Sequence, residues 1–139
     1  MVKRVWAPKR QSIKVNAKEK DQLLAKVSKF IYTTEKLAKL IYHIKIYRGR
    51  IYLTYLHEIQ PQYRSHKVNP LIEGKYEEYN FARITLFDIN GTQCTADWQR
   101  HNLKWHTVHE GSLKECLTYI EEDFDAFSYP LNYKVMNSS

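Results

Sequence analysis

The stretch from Leu40 to Glu58 constrains the fold more than any other part of the chain, because its alternation admits one strand pairing. Arg48-Gly49 separates two alternating runs. A two-residue turn there pairs Tyr47 with Arg50, Ile46 with Ile51, Ile44 with Leu53 and Tyr42 with Tyr55. One face then holds Tyr42, Ile44, Ile46, Ile51, Leu53 and Tyr55, and the other His43, Lys45, Tyr47, Arg50, Tyr52 and Thr54. A slip of one residue mixes the two sets, so the hydrophobic pattern specifies the register. The product is a ribbon with an apolar side and a basic, aromatic side.

The rest of the chain supplies cover for the apolar side. Asn16 and Glu19 have the spacing of a capping box ahead of a helix from about Ala17 to Ile31, with Leu23, Val27, Phe30 and Ile31 at helical intervals. Thr33-Thr34 then loosens the chain before the hairpin. Residues 60–78 contain Pro61, Pro70 and Gly74 without a sustained period. They read either as a disordered connector or as a loop in which Tyr63, Arg64, His66 and Lys67 clasp a ligand.

Alternation resumes at Tyr79, with Ala82, Ile84 and Leu86 on one face and Phe81, Arg83, Thr85 and Phe87 on the other. A three-residue loop Ile89-Asn90-Gly91, its glycine left-handed, pairs Leu86 with Cys94, Ile84 with Ala96 and Ala82 with Trp98. A two-residue Asn90-Gly91 turn sets Ile84 against Asp97 and is rejected. Gln99 to Asn102 turns the chain into a fifth strand, where Leu103, Trp105 and Thr107 oppose Lys104 and His106. Ser112 and Glu115 cap a helix from about Leu113 to Phe124, striped by Leu113, Cys116, Leu117, Ile120 and Phe124. The expected class is therefore α+β: a five-stranded antiparallel sheet, two hairpins plus one strand, with an N-terminal and a C-terminal helix packed on one face. Residues 1–15 are expected to be a flexible basic arm, 16–129 a single domain and 130–139 a loose tail.

At 139 residues one core suffices. No run approaches the ~20 apolar residues of a membrane span, and Met1 to Arg10 lacks the apolar stretch of a secretory signal. A cytoplasmic protein without a membrane partner is expected, with Cys94 and Cys116 as buried, reduced thiols. Charge is distributed unevenly. Residues 1–50 hold 14 Lys and Arg against 3 Asp and Glu, while residues 51–139 hold 8 against 12. A basic arm ahead of a balanced domain suits a polyanion or, equally, a solvated tail.

Reactive chemistry finds little support. His101, His106 and His109 fall at odd intervals along an extended strand, so they do not converge as metal ligands. Acid–base work would draw on Glu58, Asp88, Asp97, His101 or His106, of which Asp97 and His101 face each other across a turn. No phosphate-binding glycine loop or nucleophile elbow occurs, and no cofactor or metal is expected.

What remains is a binding surface. Lys45, Tyr47, Arg50, Tyr52, Phe81, Arg83 and Phe87 gather on one sheet face if the hairpins lie side by side. Lys3, Arg4, Lys9, Arg10 and Lys14 add phosphate contacts from the arm. Nucleic acid, DNA or RNA, is the leading partner, bound without catalysis, alone or within a larger nucleoprotein assembly. The same face also suits a protein partner or a homodimer. A small nuclease-like enzyme is the third reading.

Three runs of the sequence, "IYRGRIYLTYLHEIQP" (Ile46 to Pro61), "NFARITLF" (Asn80 to Phe87) and "DWQRHNLKWH" (Asp97 to His106), precede a capped helix ending in acidic residues. In that order they resemble an uncharacterised bacterial family catalogued as domain of unknown function three thousand and twenty-four. The resemblance spans roughly residues 17–128 and implies a shared fold and a bacterial origin, with no activity attached. The chain departs from the family's pattern at Gln60, where the family tends to an arginine, and around Gln99 and His101. Asn102, Lys104, Trp105 and His106 stand either as a functional core or as a turn and a packed strand.

Overall fold

In the structure, a computed structural model that describes residues 11–99 and 104–123, both capping boxes form. The Asn16 side chain accepts the Glu19 amide at 2.8 Å, and the Glu19 carboxylate accepts the Asn16 amide at 3.1 Å. They open helix α1 (Ala17–Tyr32), which buries Leu23, Val27 and Ile31. Ser112 and Glu115 do the same for helix α3 (Leu113–Glu122), which buries Leu113, Cys116, Leu117 and Ile120. Such a cap is worth about 1 kcal/mol, so most of the helical stability comes from the buried stripe, at about 1.5–3 kcal/mol for each fully buried large side chain.

Between the helices runs an antiparallel meander of β1 (His43–Tyr47), β2 (Arg50–Glu58), β3 (Tyr76–Leu86), β4 (Cys94–Gln99) and β5 (Trp105–Gly111), each strand pairing with the next. The first hairpin has the register its pattern requires, Tyr47 opposite Arg50 and Ile44 opposite Leu53. Arg48 and Gly49 both have positive φ, 51° and 73°, the twist-matched geometry for a two-residue turn. The β3–β4 connection likewise pairs Leu86 with Cys94 and Ala82 with Trp98, with Gly91 at φ 73°. Helices and sheet share one core, in which Ile51, Leu53, Ile84, Leu86 and Ala96 meet the stripes of α1 and α3.

Four features depart from the expected layout. Beyond Thr34 the chain does not loosen but winds into a short helix α2 (Glu35–Leu40), whose Leu37 and Leu40 enter the core. Residues 11–15, expected within the flexible arm, lie against the first turn: Ile13 donates its amide to Leu86 O at 3.1 Å, and the Ser12 hydroxyl donates to Arg48 O at 2.8 Å. Ile13 and Val15 pack on the core, a reward that alternation-based reading cannot see. The long connector has structure of its own, a 3-10 helix Pro61–His66 tied back by Arg64 Nε donating to Ile59 O at 2.8 Å. It closes the far end of the β2–β3 ribbon, where Leu56, Ile59 and Tyr76 are buried apart from the main core.

The fourth departure changes which side chains face outward. Leu53 pairs with Ala82 but Thr54 pairs with Asn80, so Phe81 is an extra residue in β3. The bulge lets Phe81 and Ala82 both turn into the core, and Phe81 stacks on Tyr55 with ring centroids 5.2 Å apart. A second bulge lies in β5: Ala96 pairs with His109 but Asp97 with Thr107, leaving Val108 extra. The expected arm Met1–Arg10, the turn at 100–103, Phe124 and the tail 130–139 lie outside the described residues.

Candidate nucleic-acid interface

Opposite the helices, the register lines up Lys45, Tyr52 and Arg83 on three adjacent strands, with Tyr47 and Arg50 paired at the turn end. These five expected residues share one face. Phe81 does not join them, because the bulge sends it into the core, where it is wholly buried. Phe87 follows β3 half-buried. Lys14 is exposed on the docked segment beside the turn, whereas Lys3, Arg4, Lys9 and Arg10 lie outside the described residues.

The centre of the face is internally satisfied. Arg83 Nε donates to Asp97 Oδ2 at 2.8 Å, the hydroxyl of Thr85 donates to the same oxygen at 2.9 Å, and Thr107 donates to Oδ1 at 2.9 Å. Asp97 is 1% exposed, so these donors replace the water it has lost. The Arg83 guanidinium also lies over the Trp105 ring, 4.8 Å from its centroid, and Tyr52 meets Trp105 edge-on at 6.1 Å. Trp105 was open to two accounts from its sequence position. The β5 bulge sets its facing, because without that extra residue Trp105 would swing to the helix side.

A second cluster lies toward β1. Glu78 accepts from the Thr54 hydroxyl at 2.8 Å, lies 3.0 Å from His43 Nδ1 and pairs with Lys45 Nζ at 3.1 Å. Partial burial pushes the Glu78 carboxyl upward, but the hydrogen bonds from Thr54, Lys45 and His43 outweigh it and hold the group below its ordinary value. Glu78 went unnoticed in the sequence because it lies 33 residues from Lys45 and meets it only across β2.

The turn end differs. Tyr47 is 59% exposed, with the Arg48 guanidinium 5.0 Å above its ring. Arg50 is half-buried, and its Nε is shut off from solvent with no acceptor, the one such side-chain atom among the described residues. Leaving a buried donor unmade costs about 1–3 kcal/mol. Arg50 lines an open pocket of about 480 Å³ together with Ser12, Lys14, Lys20, Tyr47 and Arg48.

Groups named for catalysis are scattered. Glu58 pairs with Arg64 at 3.4 Å, and Asp88 closes the β3–β4 loop by accepting from Thr92 and Gln93. Asp97 is committed to its three donors, while His101 lies outside the described residues. His106 stands exposed opposite Trp98. Among the described residues no three His, Cys, Asp or Glu side chains gather as metal ligands. No helix there is long and apolar enough to cross a membrane. Burial pushes the Cys94 and Cys116 thiols up to about 12, so both are protonated core groups.

Compared with models of known families, with curated proteins and with solved structures, the chain finds no significant match.

Proposed function

We propose that the protein binds nucleic acid without catalysis, through the face of its first hairpin. The observation that supports this most is the register Lys45–Tyr52–Arg83 beside Tyr47–Arg50, which sets aromatic rings among cations on adjacent strands. Bases stack on such rings with little sequence preference, at about 1–3 kcal/mol each, while cations neutralise phosphates. Arg48 and Lys14 extend the charge past the strand ends. The protein acts alone or as an accessory subunit of a nucleoprotein complex, in the cytoplasm of a bacterium.

Fluorescence anisotropy with a short single strand tests this. Affinity is expected to fall steeply with salt, and Tyr47→Ala to weaken binding about tenfold through lost stacking. Salt-insensitive association, or none at low salt, would overturn the reading.

One observation favours the second reading, a protein interface or homodimer. Lys45 and Arg83 already have carboxylates of their own, Glu78 and Asp97, which lowers the charge offered to phosphate. If that reading holds, Tyr52→Ala changes the sedimenting mass or abolishes partner capture while leaving the melting curve in place.

A further inference from the structure

The pocket at the first turn has a composition unlike the rest of the sheet face. Its lining includes Lys14, Lys20, Arg48 and Arg50 and no carboxylate. Elsewhere on that face the cations Lys45 and Arg83 each touch an acid. Charge of one sign concentrated in a concave site, with no carboxylate to offset it, suits an anion.

Three tertiary features bring these four cations together. The left-handed turn at Arg48-Gly49 swings Arg48 beside Tyr47. Residues 12–15 dock beneath that turn, and Gly49 permits the approach, since a β-carbon there would run into the Ile13 carbonyl oxygen. Docking carries Lys14 to the pocket, and the first turn of α1 contributes Lys20.

We infer that this pocket holds the terminal phosphate monoester of a nucleic-acid strand, with the adjoining base stacked on Tyr47. The inference rests on the nucleic-acid reading above and names the part of the strand that the hairpin recognises. A terminal phosphate carries up to two negative charges and three free oxygens, whereas an internal phosphodiester carries one charge. Four cations with no acid among them match the dianion. Arg50, which lines the pocket, brings a planar guanidinium that matches phosphate oxygens. The larger groove between α1 and the start of α3, about 620 Å³, also has Lys26, Lys29 and Lys114 at its rim. Its lining also includes Phe30, Leu113 and Leu117 and contains no arginine.

The test compares one short single strand bearing a terminal phosphate with the same strand ending in hydroxyls, using the full chain. The phosphorylated strand is expected to bind about tenfold more tightly, the scale of one charge-assisted contact. Arg50→Gln and Lys20→Gln should each bring that ratio toward one. Arg50→Lys, which keeps the charge but lacks the planar guanidinium, should retain part of it. Lys20 is an exposed helical position, so its variant carries the test even if Arg50→Gln impairs folding. Equal, salt-sensitive binding of both strands would overturn the terminal-phosphate site and leave the broader reading standing. Binding of neither strand would overturn both.

Discussion

Arg83 and Arg50 lie on the same face of neighbouring strands, yet their surroundings differ at every point. Arg83 is 19% exposed at its side chain, directly opposite Asp97, and its charge is matched within the molecule. Arg50 faces Tyr47 on one side and Thr85 on the other, and its Nε finds no acceptor. The first arrangement builds structure. The second leaves a donor unsatisfied within the fold. Counting cations on a face therefore misjudges its capacity for phosphate, because each one that meets a carboxylate across a strand is largely spent before any ligand arrives.

The sharpest way to break this comparison is Asp97→Ala. It strands the Arg83 charge and two hydroxyl donors, and is expected to cost about 3–5 kcal/mol of stability in urea unfolding. The change Arg50→Met should leave stability within about 1 kcal/mol or raise it, since it removes an unsatisfied donor. Equal losses at the two sites would erase the distinction.

Phe81→Ala against Tyr47→Ala sharpens the same contrast between built and available surface. The first empties a core position and is expected to cost about 3–5 kcal/mol, whereas the second should stay within about 0.5 kcal/mol. Thermal melts of the two variants read this directly. Gly49→Ala comes next, at more than about 1 kcal/mol, because the turn needs positive φ and residues 12–15 need the space. Amide exchange at Ile13 should speed up in that variant, reporting the loss of its bond to Leu86.

The smallest effect concerns pH. Glu78 has a folded value below its ordinary 4.5, so its contribution is present above that value and is lost as pH falls through the lowered one. Stability profiles of the protein and of Glu78→Gln should therefore differ near neutrality and converge in acid. The thiols run the other way. Raised from 9.0 to about 12, they favour the fold below 9.0 and lose that contribution as pH climbs toward 12. Native Cys94 and Cys116 should accordingly resist alkylation near neutral pH and react once the chain is unfolded in urea.

Much of the architecture was legible in the linear pattern. Period-two alternation around a left-handed turn leaves one register that keeps apolar residues together, so both hairpins follow from local arithmetic, as do the two capped helices. The candidate face was legible only in part. Lys45, Tyr47, Arg50, Tyr52 and Arg83 obey strict alternation and fall where it puts them. Phe81 does not, because a β-bulge inserts one residue and turns its side chain into the core. Bulges have no signature in the alternation of either strand taken alone. They arise when two strands must satisfy different neighbours at once.

The amino-acid order by itself therefore determined the strand register at each tight turn, the helix starts and the apolar side of the sheet, since these depend on contacts a few residues apart. Tertiary structure alone decided which charges are matched and which stay open. Asp97 meets Arg83 and Thr107 only through strand pairing, Glu78 meets Lys45 across an intervening strand, and Lys14 reaches the first turn only because residues 12–15 dock there. Electrostatic availability is set by distance in space, over a few ångströms, and spacing along the chain does not encode it.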